Sequence, residues 1–346
     1  MQPKKLKITF LIKEWPSKLK KYMNSASKNI LVFNLNWLGD ILFSLPSLEA
    51  IKTHYPNSHL ACIVPPSYRN LLENQSSIDE VIAVSDKTLW NKYRLLRQLR
   101  QKKWDMGFLF HRSKTRARLL KWAHVQERIG YDSKDRAHLL TCSIPFPSVP
   151  QHKMDMMRSI LLAYGISHVK ESYEYHAWQA GTHTKFELPT PYVVFHPGSN
   201  WAPKRWPIHH FAQLGNKLHT RYGASIVITG TKEDKILAQH MKPHLDQIPI
   251  DLTGQTSLEE LAAICRHSLL VVAGDTGPMH LATASGANVI ALYGPTSPFL
   301  NGPRGSQHNF KVIWENPCLE NLTPQRVLME IENWKILYEK NITSSK

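Results

Sequence analysis

From residue 29 onward, short apolar runs alternate with stretches whose apolar positions recur every three or four residues. Ile30-Leu31-Val32-Phe33 contains no polar position, as expected of a parallel strand buried on both faces. A polar turn from Asn34 to Asp40 leads into a helical pattern over Ile41–His54. Further strand-like runs follow at His59–Val64, Val81–Val84 and Met106–Phe110, with a long basic helix, Leu89–Lys103, between the last two. Residues 175–191 turn polar and end in Pro-Thr-Pro, which reads as a linker. The alternation then restarts. Strands are expected at Tyr192–His196, Ser225–Thr229, Leu269–Ala273 and Val289–Tyr293, and helices at His209–Tyr222, Ser257–Arg266 and Pro278–Ser285. A last helix, Pro324–Tyr338, carries Trp334 and Leu337 and could pack on either half. Strands alternating with helices, twice over, predict an α/β chain of two Rossmann-like, doubly wound halves, with a ligand between them at the carboxyl ends of the strands.

Residues 1–28 stand outside this pattern. They mix eight lysines with Phe10, Leu11 and Trp15, as either a short interfacial segment or a frayed end would. No apolar run reaches the length of a membrane span, and the Ile8–Ile12 stretch is too short for a signal peptide, so a cytoplasmic protein is expected. The formal net charge of +16 is segregated. Residues 1–28 set eight lysines against one glutamate, residues 87–122 set twelve Lys and Arg against one aspartate, and the remainder is close to neutral. Two basic blocks on a neutral body point to an anionic partner: nucleic acid, an acidic lipid surface or a phosphorylated substrate. Four cysteines lie far apart and suggest neither a zinc knuckle nor a disulfide framework. His240 and His244 lack a third ligand nearby, so no metal site is expected.

The segment Val272-Ala273-Gly274-Asp275-Thr276-Gly277-Pro278-Met279-His280 ends a strand and opens a helix. Such a turn offers backbone N–H groups at the positive end of a helix, a cradle for phosphate, and Gly277 would let an anion come close. His280 falls in the first helical turn. Asp275 alone would read as an N-cap, but the whole run reads as a site. A second segment, His196 to Pro207, follows the first strand of the second half. Ser199 and Asn200 offer hydrogen bonds there, and Lys204 and Arg205 two cations suited to a pyrophosphate. Trp206 should anchor the loop. After the next strand, a carboxylate in Gly230-Thr231-Lys232-Glu233-Asp234 could take ribose hydroxyls, or simply favour a helix N-terminus. In the first half the candidate is Trp37-Leu38-Gly39-Asp40. Asp40 could be a general base, although on the residues alone an N-cap is the stronger reading.

These motifs, in this order, resemble the lipopolysaccharide heptosyltransferase family, glycosyltransferase family 9, over about Asn29 to Tyr338. Its opening signature resembles Ile30–Pro46, its middle one His196–Pro207, and its late one Leu252-Thr253-Gly254 through Asp275–His280 to Gly294-Pro295-Thr296. Arg128-Ile129-Gly130-Tyr131 and His152 match weaker positions. The resemblance implies a GT-B fold: an acceptor domain over 29–180, a donor domain over 181–323, and a C-terminal helix and tail over 324–346. It implies metal-independent, inverting transfer of a heptose from ADP-heptose, with no cofactor besides that donor, to an acidic, lipid-linked inner-core acceptor. Asp40 would deprotonate the acceptor. Ser199, Asn200, Lys204, Arg205 and the backbones of Thr276 and Gly277 would hold the diphosphate with His280 nearby, while Asp275 would face the donor sugar, Glu233 the ribose and Thr256 the adenine. Gly39, Arg112, Lys114 and Arg116 are expected on the acceptor side. Trp37 stands where the family commonly has a small polar residue, and residues 1–28 have no clear counterpart. A peripheral position at the inner face of the membrane and a monomeric state are the corresponding expectations. A nucleotide-sugar epimerase of similar shape, or a basic nucleic-acid-binding protein, are the alternatives.

Overall fold

The computed structural model describes residues 27–85, 87–175, 185–305 and 309–334. Two six-stranded sheets, every pairing parallel, account for the two apolar patterns. In the first half, β1 (Asn29–Phe33), β2 (His59–Val64), β3 (Glu80–Ala83), β4 (Met106–Leu109), β5 (Glu127–Tyr131) and β6 (Cys142–Ile144) lie in the order β3-β2-β1-β4-β5-β6. In the second, β7 (Tyr192–His196), β8 (Ser225–Ile228), β9 (Ile250–Asp251), β10 (Leu270–Gly274), β11 (Val289–Tyr293) and β12 (Phe310–Trp314) repeat that order as β9-β8-β7-β10-β11-β12. Each sheet therefore reverses direction between its first and fourth strands, the switch point where doubly wound folds open a crevice.

The two-residue period of each strand divides its side chains between layers. Ile30 and Val32 of β1 enter a core shared by both halves, whereas Leu31 and Phe33 enter an outer core. In β10, Val271 and Ala273 join the shared core and Leu270 and Val272 the outer core of the second half. The shared core is filled by the inner helices: α1 (Leu38–His54), α5 (Lys153–Tyr164), α8 (Leu258–His267) and α9 (Gly277–Ala284). The outer layers hold α3 (Leu89–Leu99) and α4 (Lys114–Trp122) on one side. On the other they hold α6 (Ile208–Tyr222), α7 (Lys235–Met241) and α11 (Pro324–Asn333). Short helices α2 (Arg69–Glu73) and α10 (Pro298–Asn301) complete the set.

Helices α1 and α9 cross where the halves meet. A Cβ on Gly39 would lie 2.7 Å from His280 Cδ2, and one on Gly277 would lie 2.8 Å from Leu38 Cβ. Each glycine thus admits the other helix. The halves are also tied by a bidentate Arg304–Asp155 pair, with both contacts at 2.7 Å, and by Tyr173 and Tyr175, whose amides donate to Arg304 and Ala284 carbonyls.

Several expectations change. The first helix begins at Leu38, not Ile41, because the extended Trp37 already precedes the first turn. Asp40 is therefore the third helical residue and caps nothing. The basic helix ends at Leu99 rather than Lys103. Strands β5, β6, β9 and β12 escaped the pattern: β6 and β9 have three and two residues, and β5 and β12 are interrupted by charge. α11 packs on the second half, through Val327, Leu328, Ile331 and the partly buried Trp334, while Leu337 lies outside the described residues. So do residues 1–26 of the basic segment and most of the expected linker. No helix among the described residues is long and apolar enough to cross a membrane.

Candidate active site

The carboxyl ends of β1, β7, β8 and β10 converge on a cavity of about 590 Å³, within the range of small-molecule sites. The first half contributes Trp37, Gly39, Asp40, Phe43 and Lys153. The second half contributes three loops and the start of α9: His196 and 198–201 with Lys204 and Arg205, then Thr231, Glu233 and Asp234, then Asp275–Pro278 with His280, and Asn301.

Asp40 is largely buried, and its Oδ1 accepts a hydrogen bond from Lys153 Nζ at 2.7 Å. Lys153 opens α5, whose N-cap is His152; the His152 imidazole Nδ1 accepts from the Met154 amide at 3.1 Å. Because that nitrogen is an acceptor, the ring proton sits on Nε2, which donates to the Gly302 carbonyl of the other half at 3.0 Å. Burial, aided by the Arg304 charge, pushes His152 down to about 4. The ring therefore bridges the halves as a neutral group and places Lys153 against Asp40.

Across the cavity, Lys204 Nζ lies 2.6 Å from Asp275 Oδ2, and Asn301 Nδ2 donates to both carboxylate oxygens at 3.0 Å. Burial pushes the Asp275 carboxyl up, but the Lys204 hydrogen bond and charge outweigh it and hold the group below the usual carboxylate range. Lys204 has three N–H donors, so it can keep Asp275 and still face a ligand oxygen. Arg205 is spent differently: Nε and an Nη donate to the Ser199 carbonyl at 3.0 and 2.7 Å, bracing the 198–205 loop. Trp206 anchors that loop, as its sequence position suggested, fully buried with Nε1 donating to the Leu322 carbonyl.

The strand-to-helix turn departs from expectation in two respects. Gly277, not Pro278, is the first helical residue, with Thr276 as N-cap. Pro278 has no N–H, Met279 donates to the Thr276 hydroxyl and His280 to the Thr276 carbonyl. Among the first four helical residues this leaves the Gly277 amide to face a ligand. His280 presents no cation. Its buried ring packs on Phe43 and beneath Gly39, Nδ1 pairs with the Tyr173 hydroxyl at 3.0 Å, and burial pushes it down to about 3 despite the Asp275 charge.

A model of "Glycosyltransferase family 9 (heptosyltransferase)" matches residues 92–330. The chain belongs to this family. It is therefore a glycosyltransferase. It is 28% identical over 300 residues to lipooligosaccharide heptosyltransferase 2 of Haemophilus influenzae, covering 80% of this chain and 86% of that one. The structure of the Escherichia coli ADP-heptose LPS heptosyltransferase II aligns with a TM-score of 0.77 at 25% identity, over 90% of this chain and 99% of the other. A family 9 glycosyltransferase from Veillonella parvula aligns at 0.79 and 24% identity, over 92% and 99%. The GT-B architecture read from the motifs is the one observed.

In this family 9 glycosyltransferase, eleven of the residues expected at the site line one cavity: Gly39, Asp40, Ser199, Asn200, Lys204, Arg205, Glu233, Asp275, Thr276, Gly277 and His280. Thr256 does not line it, nor do Arg112, Lys114 and Arg116. Lys114 pairs with Asp135 at 2.6 Å, and exposed Arg112 lies over the Phe146 ring. Arg116 is buried over Phe33, with its guanidinium donating to the Asn34 carbonyl at 2.8 Å and to Asn36 Oδ1 at 2.6 Å. It supports the loop before Asp40 instead of meeting an acceptor directly. Lys153 and Asn301 were missed, and Asp234, inside the segment offered for the ribose, joins Glu233 at the cavity. Lys153 follows His152, the one signal that could have found it. Asp234 fills the space that Gly198 leaves, since a Cβ there would lie 2.4 Å from its carboxylate. Asn301 carries no local signal. Among the described residues no cluster of three His, Cys, Asp or Glu is placed to hold a metal ion.

Proposed function

We propose that the chain transfers a heptose from ADP-heptose to a lipopolysaccharide inner-core acceptor, inverting the anomeric centre without a metal. The observation that carries this reading is a single cavity with a carboxylate, Asp40, on the first half and a diphosphate-sized set of polar groups on the second. The names of the H. influenzae and E. coli relatives support the sugar, the donor and the acceptor class. On this reading Asp40 accepts the proton of the acceptor hydroxyl as that oxygen attacks the anomeric carbon. The sugar–phosphate bond breaks on the opposite face, which is why one displacement inverts. Ser199, Asn200, Lys204, the backbone amides of Thr276 and Gly277, and the N–H groups that Arg205 does not spend on the Ser199 carbonyl stabilise the charge that grows on the leaving diphosphate. Glu233, with the neighbouring Asp234, is proposed for the ribose. Asp275 is proposed to face the sugar.

The acceptor is proposed to be lipid-linked and acidic, and the protein to sit as a monomer, peripherally, at the inner face of the cytoplasmic membrane. Exposed Leu89, Trp90 and Tyr93 on the basic helix α3 support a surface role. Incubation with ADP-heptose and heptose-deficient lipopolysaccharide should release ADP and yield a heptosylated product detectable by mass spectrometry. Isomerised nucleotide sugar without transfer would favour the epimerase alternative, and salt-sensitive DNA binding without either would favour the nucleic-acid one. Sedimentation with anionic vesicles should be reversed by salt and weakened by deleting residues 1–28. Equal binding to neutral and anionic vesicles would defeat the membrane assignment.

A further inference from the structure

Trp37 breaks two local rules at once. It is the N-cap of α1, where Ser, Thr, Asp or Asn would each satisfy a free amide, and its side chain makes no capping hydrogen bond. It also leaves a large indole 60% exposed, although the chain is not short of cores to bury it in. Among the described residues no ring or cation packs on it. Local rules broken together in this way mark a residue kept for function. Trp37 lines the cavity three residues before Asp40.

The loop that carries it is braced by hydrogen bonds. Arg116, 4% exposed, ties the Asn34 carbonyl and the Asn36 side chain together and rests on Phe33. Asn34 adds bonds of its own: its Oδ1 accepts from the Leu35 amide and its Nδ2 donates to Ser44 Oγ, both at 2.8 Å, and to Cys62 Sγ at 3.6 Å. An exposed indole on a braced loop is a preorganised apolar plane, not a side chain seeking a partner.

We propose that Trp37 is a stacking platform for the acceptor, receiving the apolar face of a pyranose ring and so presenting its hydroxyl to Asp40. This rests on the reading of Asp40 as the base. The acceptor is the favoured occupant because Trp37 belongs to the half that carries Asp40, whereas the groups proposed for the diphosphate and ribose lie on the other half. A sugar ring offers C–H bonds on one face and hydroxyls at its edge, which suits a plane of indole beside a carboxylate. Trp37 acts in selecting the acceptor and contributes nothing to nucleotide affinity.

The test uses the full chain labelled with 5-fluorotryptophan. Its ten tryptophans are counted by fluorine NMR, and Trp37→Phe identifies the Trp37 resonance by deletion. The probes are ADP and the deacylated saccharide of heptose-deficient lipopolysaccharide. The saccharide should shift the Trp37 resonance and ADP should not. Trp37→Ala should raise the acceptor KM about tenfold and leave the ADP dissociation constant within about twofold, with Trp37→Tyr recovering most of the loss. A saccharide that binds by calorimetry without moving the Trp37 resonance overturns the platform and leaves the function standing. A shift produced by ADP alone reassigns the indole to the donor and also overturns it. A saccharide that binds neither protein removes the acceptor reading, and the platform falls with it.

Discussion

The two halves share one topology and use it differently. In the first, the switch-point turn after β1 delivers a carboxylate on the third residue of α1, with an indole as its cap. In the second, the turn after the fourth strand, β10, delivers a Thr-capped helix, and the turns after β7 and β8 add the polar groups. The helices from these turns, α1 and α9, then cross at two glycines. The same strand order thus builds a proton acceptor on one side and an anion grip on the other. The lesson is that topology sets where a site opens, while the residue at each strand end sets what it does. The crossing also gives Gly39 and Gly277, which line the cavity, a second reason to be glycine: each leaves space for the opposite helix.

The largest effect should come from the first half alone. Asp40→Asn keeps the shape of the side chain and removes its basicity, so turnover should fall by about 10²–10⁴-fold with ADP affinity retained. Near-normal kcat would make Asp40 only a partner for Lys153 and undo the division of labour. Acid should next act on the seam between the halves. His152 and His280 are held neutral by burial, pushed down to about 4 and about 3 from the ordinary histidine value of 6.5. Between these values and 6.5 the unfolded chain binds protons that the folded chain does not, so stability is fully present above 6.5 and is lost as pH falls. At pH 5 the loss is about 2 kcal/mol for each histidine. Urea unfolding at pH 7 and pH 5 measures it, and His280→Gln should flatten the dependence.

How much of this was legible depended on whether the signal was local. The strand-to-helix turns could be read because an apolar run meeting Gly39-Asp40 or Asp275-Thr276-Gly277 is a contiguous pattern. Asn301 could not, since it reaches its carboxylate from more than twenty residues away in sequence and sits in no motif, and Lys153, equally remote from Asp40, had only its neighbour His152 as a signal. Arg112, Lys114 and Arg116 were placed at the acceptor by charge alone. Charge does not say whether a guanidinium faces solvent, and Arg116 turns inward because Asn34 and Asn36 offer it oxygens. The edge strands β6 and β9 were invisible because two or three residues carry no period.

On the second half, Lys204→Ala should weaken ADP binding by about 1.5–3 kcal/mol, the range for hydrogen bonds to charged groups. It also strands Asp275, which is 5% exposed and would keep Asn301 and the more distant His280 but lose the Lys204 charge beside it. A loss of folding stability should therefore accompany the loss of affinity. The double variant Lys204→Met with Asp275→Asn separates the two: it should recover stability while leaving ADP affinity low. Calorimetry and denaturant unfolding on the same preparations decide it, and unchanged ADP affinity in Lys204→Ala would place the diphosphate elsewhere.

The smallest effects compare the two helix starts directly. Thr276 Oγ1 accepts the Met279 amide at 3.4 Å, so Thr276→Ala should cost about 1 kcal/mol, the usual worth of a cap. At α1 the situation is reversed. Trp37 makes no capping bond, so Trp37→Ser adds an oxygen where the free amides of the first turn need one. That substitution should stabilise the protein by about 0.5–1 kcal/mol while raising the acceptor KM. Gain of stability with loss of function is the pattern expected where a site has kept a residue that the fold would not choose. Urea midpoints for the two variants, set beside acceptor kinetics, make the comparison. A destabilised Trp37→Ser protein would mean that the indole packs usefully against its own half, and the contrast between a structural start at α9 and a functional one at α1 would be lost.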